Sequence, residues 1–483
     1  MKKLVKIIVS MLCTAVLSVP VFATACVTPS EDNGKPEHID YASRAKLDLT
    51  SDTKKQEVTV KQYVDGDTTH FYPVANSTLQ GCNNAADFSA ESAPTKGYAK
   101  ARYISINTPE STGQIEPFGK AASKFTRSKL EGAKSIIIES NDDKWNIDNT
   151  GERYTLWVWY MPNDSENKEY RNLNIEILQE GYAFGSGTSD ADSRYREDAM
   201  AALAQAEAEK LVIYSGEKDP DYYYGGPINI DLKELRFNTA AYEGKKVVVE
   251  GTVVANFNNS AYIEMIYDDI EGYEETGLRI GMQVFYAYTT GKVLEILSVG
   301  NYVSVVGVVQ YSEWSGSYQI TDIKPYDRYN PDNANNCKLI ETVGLDNAFT
   351  VIDPAEFVSK EEKVSVEVTK LNQDNEEYTE VVSMTYKEAL LGSSVTVNDV
   401  IVYDVYTTTK EDSASKGAMT LYCRAADGTE FTVRTEVLKD ADGNLITESA
   451  YINKTVSVKG VVEKFDGGYQ IKCHRPDYIT VQG

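Results

Sequence analysis

The chain has 483 residues, with 48 Lys and Arg against 73 Asp and Glu, a formal net charge of −25. That length exceeds what one hydrophobic core holds, and the charge repels polyanions, so several domains are expected and wholesale coating of nucleic acid is disfavoured. The 42% hydrophobic and 25% charged content excludes a mainly disordered or collagen-like chain, and three scattered histidines, His38, His70 and His474, supply neither a multi-histidine zinc site nor a Ser-His-Asp triad.

In chain order, Lys2, Lys3 and Lys6 precede an apolar run from Ile7 to Phe22 that closes on Ala23-Thr24-Ala25, so residues 1–25 read as a secretory signal peptide. Cys26 follows directly, before a polar stretch, and resembles the lipid-attachment cysteine of bacterial lipoproteins; simple release after Ala25 is the alternative. Either reading places the protein outside the cytoplasm, in the medium or at the cell surface. Cys82, Cys337, Cys423 and Cys473 form no CxxC pair, which argues against a zinc ribbon; Cys423 and Cys473 read equally as a bridge or as buried thiols.

Residues 26–54 lack periodicity and read as a flexible tether. Alternation around Val58, Val60 and Val64 predicts a strand, and Ala101 to Ile106 a second one with Arg102, Ile104 and Ile106 on one face. A helix is predicted next, with Phe118, Ala122, Phe125, Leu130 and Ala133 on one side and Lys120, Lys124, Arg127 and Lys134 on the other. Two readings stand for that basic face: a solvated surface or a phosphate track. Strands at Ile136–Glu139 and Thr155–Tyr160, then helices at Asn174–Gln179 and Arg194–Lys210, complete a small β-barrel with packed helices over residues 55–216.

A linker is expected at 217–230, where Asp219-Pro220 and Gly225-Gly226-Pro227 bracket three tyrosines. Behind it, Val303 to Val309 followed by Gly316 to Ile320 recurs as Val456 to Val462 followed by Gly467 to Ile471, a repeated hairpin. Each copy follows a valine-rich strand, so two units similar to OB-fold modules are expected at 231–330 and 380–483, with a connector at 331–379. Residues 217–483 carry 24 bases and 43 acids. Tyr262, Tyr267, Tyr311 and Trp314 read either as base-stacking platforms or as packing groups; the acidity favours protein, glycan or architectural roles for these modules.

Three segments carry chemistry. Val64-Asp65-Gly66-Asp67-Thr68 brings two carboxylates to a turn, and carboxylate oxygens suit a hard cation. Arg102 precedes the oxygen-rich Asn107-Thr108-Pro109-Glu110, and Asp148-Asn149-Thr150-Gly151-Glu152-Arg153 delivers a second arginine before a strand. In this order, with the helix around Phe118-Gly119-Lys120-Ala121-Ala122, with Glu180-Gly181-Tyr182-Ala183 and with the stretch from Ala206 to Tyr214, these segments resemble the staphylococcal nuclease (thermonuclease) family over roughly residues 56–216.

The resemblance implies a mainly β chain: an α+β nuclease domain on an OB-fold β-barrel, ahead of the two further OB-like barrels. It also implies calcium-dependent hydrolysis of DNA and RNA to 3′-phosphate ends. By motif position Asp67, Asn107 and the Thr108 carbonyl would be calcium ligands, Glu110 would orient or deprotonate the attacking water, and Arg102 and Arg153 would clamp the phosphate. Two departures bear on this. Asn107 stands where the family usually has aspartate, which removes a ligand charge that Asp65 could partly restore, and Glu152 is inserted before Arg153. The second reading is therefore a catalytically weak or inactive surface-binding lipoprotein built of OB folds.

Overall fold

The computed structural model describes residues 38–482 apart from 83–87, 89–96, 113–114, 164–168, 288, 372–376, 411–412, 414 and 466. The signal segment 1–25 and the lipid-attachment Cys26 lie outside the described residues. The first block runs α1 (Tyr41–Arg44), β1 (Lys55–Tyr63), β2 (Thr68–Pro73), β3 (Ala99–Tyr103), β4 (Ser105–Asn107), α2 (Gly119–Leu130), β5 (Ser135–Glu139), β6 (Tyr154–Met161), β7 (Arg171–Asn172), α3 (Leu173–Gln179), β8 (Phe184–Ser186) and α4 (Arg196–Glu209). Strands β1, β2, β3, β6 and β5 close into a barrel because β3 pairs with β2 on one side and, in parallel, with β6 on the other. Parallel neighbours need a long crossover, and the segment through α2 and β5 supplies it.

Strand β6 is apolar on both faces because helices cover its outer side. Trp157 and Trp159, two residues apart and fully buried, both meet the edge of Tyr195 at the start of α4, with ring centroids 5.1 Å apart in each pair. The Trp159 indole and the Tyr195 hydroxyl donate to the buried Glu139 carboxylate at 2.9 and 3.0 Å. Glu139 also accepts from the Thr53 hydroxyl at 2.7 Å and lies 3.9 Å from the buried Lys55 ammonium, so this core charge is compensated.

The second block holds β9 (Ile228–Asn229), α5 (Leu232–Phe237), β10 (Lys246–Phe257), β11 (Ser260–Tyr267), β12 (Leu278–Phe285), α6 (Lys292–Ile296), β13 (Asn301–Ser312), β14 (Ser317–Thr321) and β15 (Lys338–Thr342). The third holds β16 (Thr350–Val351), α7 (Pro354–Val358), β17 (Glu362–Leu371), β18 (Glu377–Thr385), α8 (Tyr386–Ala389), β19 (Ser394–Thr407), β20 (Met419–Arg424), β21 (Glu430–Thr435), β22 (Thr455–Phe465), β23 (Gly468–Cys473) and β24 (Ile479–Val481). Each closes a five-stranded barrel with the strand order of the first, through the parallel pairs β12–β14 and β21–β23. The mainly β, OB-like fold read from the sequence is thus what the chain adopts, and the repeated hairpin is β13–β14 and β22–β23, the last two strands of each barrel.

Two stretches differ from the sequence expectation. Residues 40–54 are not a free tether: Ala42 and Ala45 are buried in the first core, and the Arg171 fork grips Asp40 at 2.6 and 2.9 Å. Too few apolar residues make this contact to leave a period in the sequence. The expected connector contributes β15 to the second sheet and β16 to the third, and the expected boundary at 379/380 falls inside β18. Ile270, Leu278 and Ile280 of the second barrel share one core cluster with Val395, Val397 and Leu421 of the third. Cys82, Cys337, Cys423 and Cys473 are free thiols.

Burial raises the Asp40 carboxyl, but the bonds from Arg171 and Ser43 outweigh it and hold the pKa at about 2. A carboxyl depressed on folding stabilises fully above its unfolded value, near 4, and loses that contribution as pH falls through its folded value. Thermal melts from about pH 5 down to about pH 2 should therefore show Asp40→Asn losing less stability over this window than the parent. Identical losses would contradict the docking of residues 40–54.

Candidate active site

The site begins at the turn between β1 and β2. The Val64 and Asp65 amides both donate to the Thr68 carbonyl at 3.2 Å, and the Asp67 amide donates to Asp65 Oδ1 at 3.2 Å. Gly66 is required here by close approach. A Cβ would lie 2.7 Å from Thr108 Cγ2 and 2.9 Å from Ala122 Cβ, below any real contact. The Thr126 hydroxyl on α2 donates to the Gly66 carbonyl at 2.6 Å, so the helix clamps the turn.

Asp67 is only 1% exposed. Its Oδ1 accepts from the Thr68 hydroxyl at 2.9 Å and pairs with Arg102 Nη1, while Oδ2 accepts from the Thr108 amide at 2.9 Å. The β2–β3 register, Thr68 opposite Arg102, is what sets the arginine beside this carboxylate.

Alternation predicts one strand from Ala101 to Ile106, but Ser105 has φ 67°, and the chain breaks into β3 and β4. A left-handed residue turns the backbone out of the barrel, and β4 pairs with β8 instead. Arg102, Ile104 and Ile106 therefore do not share a continuous strand face. The turn brings Asn107 back over β3, where its Oδ1 accepts from Arg102 Nη2 at 2.6 Å. Thr108 is buried with its hydroxyl unpartnered, and Glu110 is exposed just beyond. The start of α2 presses on this loop: a Cβ on Gly119 would lie 2.1 Å from the Glu110 carbonyl oxygen.

The parallel pairing of Arg102 with Thr155 brings the start of β6 to the same rim. Arg153 closes a turn in which its carbonyl accepts from the Asp148 amide at 2.9 Å and its Nε donates to Asp148 Oδ2 at 2.7 Å. The inserted Glu152 points outward, its side chain 71% exposed and 3.8 Å from Lys100.

The electrostatics mark these groups as one site. Burial, then the charges of Asp67 and Glu110, push the Asp65 carboxyl up to about 8. Partial desolvation and the Asp67 charge raise Glu110 as well, against the pull of Arg102 and Arg153. The structure thus brings together Asp67, Arg102, Asn107, Thr108, Glu110 and Arg153. Among the described residues no three His, Cys, Asp or Glu side chains form a metal cluster on their own. A cation here would draw on neutral oxygens besides Asp67, and a hard divalent ion would offset the Asp67 and Glu110 charges that add to burial in raising Asp65, so the oxygen donors present are of the kind such an ion takes.

Sequence reasoning missed the groups that hold this site from outside. Asp219, in the expected linker, is buried and accepts from the Phe118 amide at 2.5 Å at the N-terminus of α2, where an acid is favoured. At three of its positions the basic face of α2, though still exposed to solvent, is engaged in ion pairs. Lys120 pairs with Glu243 at 3.0 Å, Lys124 with Asp221 at 3.1 Å, and Arg127 with Glu313. An Asp-Pro pair read as punctuation carried no sign of these contacts.

Gly66→Ala should displace the turn that carries Asp67. The expected result is a loss of about 1–3 kcal/mol in urea unfolding. A parent value would contradict the packing described.

Among curated proteins, none matches the chain. Residues 100–216 match the model of the family described as Staphylococcal nuclease homologue. That stretch contains Arg102, Asn107, Thr108, Glu110 and Arg153, while β1, β2 and Asp67 precede it and complete the barrel. The match supports a nuclease-like function. The chain thus carries, at residues 100–216, a staphylococcal nuclease domain.

Proposed function

We propose that this chain is an exported, calcium-dependent, sugar-nonspecific nuclease that hydrolyses DNA and RNA phosphodiesters to 3′-phosphate ends. The observation that carries the reading is that the exposed Glu110 carboxyl lies within the field of both Arg102 and Arg153, beside the Asp65-Gly66-Asp67 turn where Arg102 pairs with Asp67.

Glu110 takes a proton from a water that attacks phosphorus. The new P–O bond forms as the bond to the 5′-oxygen breaks, leaving a 3′-phosphate, and the departing oxygen is protonated by solvent. Arg102 and Arg153 donate to the non-bridging oxygens, where charge builds in the five-coordinate transition state, and their planar forks remain charged throughout. Asp67, the Asn107 side chain and the Thr108 carbonyl would hold calcium, which when bound supplies Lewis-acid stabilisation of that charge. Asn107 contributes an oxygen without a charge, so binding should be weaker than with aspartate.

The amino-terminal pattern supports export, with attachment to a membrane through Cys26, and the acidic second and third barrels suit a protein or glycan partner at the cell surface. One observation favours the second reading, an inactive surface-binding lipoprotein. Arg102 spends its Nη1 on Asp67 and its Nη2 on Asn107, the position where a ligand charge is missing.

Cleavage of DNA by the full exported chain, with calcium and with chelator, separates the two. Activity in calcium alone is expected, with Glu110→Gln lowering kcat by roughly 10²–10⁴ and Arg102→Lys by roughly 10² or more. Equal clearing in chelator, or activity that appears only in Asn107→Asp, would replace the first reading with the second.

A further inference from the structure

The second and third barrels meet backbone to backbone. A Cβ on Gly281 of β12 would lie 2.4 Å from the carbonyl of Gly392, just beyond α8, so only glycine lets the two strands of chain come this close. Arg236, on α5, enters the same seam and is 6% exposed. Its Nη2 donates to the Gly281 carbonyl and, at 2.5 Å, to the Leu391 carbonyl, while its Nε is buried with no partner. Among the described residues no carboxylate pairs with this guanidinium, and burial pulls its pKa down to about 10. A neutral amide could bridge two carbonyls. A buried cation without a counter-charge is a costly way to do so.

Arg236 lines a cavity of about 30 Å³ in this seam, with Tyr262 and Gln283 of the second barrel and Glu463 and Lys464 of the third. A space above about 15 Å³ admits a water-sized group, so a few polar atoms fit beside the guanidinium. The charged residues of the lining, Arg236 and Lys464 against Glu463, leave one positive charge. Trp314 and Phe465 also line it, one from the end of each repeated hairpin. They are 72% and 50% exposed, and their rings stand edge to face with centroids 5.8 Å apart. Of the four aromatics offered by the sequence as stacking platforms, Tyr262 is packed at 2% exposed and Trp314 is the most open. The cavity thus runs from a buried, unpaired cation to an exposed aromatic pair.

We propose that this seam binds a carboxylate carried on a six-membered ring, with the carboxylate in the cavity beside Arg236 and the ring against Trp314 and Phe465. A carboxylate supplies the single negative charge that the lining lacks, and its two oxygens match the planar guanidinium fork. A phosphate dianion would bring a second charge against Glu463. A flat apolar ring face suits the two open aromatic rings, and an aromatic-lined cavity with a few placed polar groups is the common form of a ligand site. A hexuronate sugar of a glycan and a free aromatic acid share this chemistry. The site narrows the partner proposed for the rear barrels and does not depend on the nuclease reading.

The test is calorimetry on the full chain at low salt, with glucuronate, benzoate, glucose, inorganic phosphate and a nucleoside 3′-monophosphate as probes. At least one of the two carboxylates should bind, and glucose should not. Tighter binding of glucuronate assigns the site to a glycan, and tighter binding of benzoate to a free aromatic acid. Trp314→Ala, at an exposed position, should weaken the carboxylate roughly tenfold while leaving the melting temperature of the free chain unchanged. Arg236→Gln, which keeps an amide for the two carbonyls, should weaken it roughly a hundredfold. Should that buried variant fail to fold, Trp314→Ala decides alone. Absence of binding by both carboxylates, binding that Trp314→Ala leaves unchanged, or tighter binding of phosphate or the nucleotide overturns the proposal. None of these probes requires cleavage, so the result stands whether or not the chain is a nuclease.

Discussion

One buried carboxylate organises the first domain. Asp67 sits at the start of β2 and receives the Thr68 hydroxyl from its own strand, the guanidinium of Arg102 from β3, and the Thr108 amide from the loop beyond β4. A nearly fully buried charge is tolerated only when such partners compensate it, so the three segments are held in one arrangement or the carboxylate is left stranded. The Gly66 contacts with Thr108 and α2 then leave the turn no room to move. The rim on which Asn107, Glu110 and Arg153 stand is therefore a consequence of satisfying Asp67.

The acidity of the rear half has a structural explanation in part. Asp221, Glu243 and Glu313 face the basic side of α2, and Asp219 covers the N-terminus of that helix. Charges that look in the sequence like a barrier to nucleic acid are spent, at these positions, on docking one barrel against another. The same docking brings Gln310 to the Ser111 carbonyl, just after Glu110. The second and third barrels are joined more tightly still. Glu264 on β11 accepts from the Ser394 amide and hydroxyl at 2.6 and 2.9 Å, and apolar residues of both barrels share a core cluster.

Much of the fold was legible because its signals are local. Valine-rich alternation and interior glycines mark the strands, and the recurrence of one hairpin pattern exposes the second and third barrels. The site was legible as a set of motifs, since turn chemistry such as Asp-Gly-Asp and Thr-Pro-Glu is written in neighbouring residues. What misled was continuity. Residues 101–106 alternate like one strand, yet a left-handed Ser105 splits them, and no residue preference announces a positive φ at serine. Residues 40–54 show no period, yet pack on the barrel through Ala42, Ala45, Thr53 and the Asp40–Arg171 pair.

The sequence alone determined the strand content, the duplicated rear barrels and the identities of the candidate acids and arginines, because each depends on residues close together in the chain. The tertiary structure decided which of these groups meet. Arg102 faces Asp67 through a strand register, Arg153 reaches the same rim through a parallel closure, and Ser111 meets Gln310 across 199 positions of sequence. Such pairings are fixed by barrel closure and by the cost of leaving buried polar groups unpaired, and no local pattern records either.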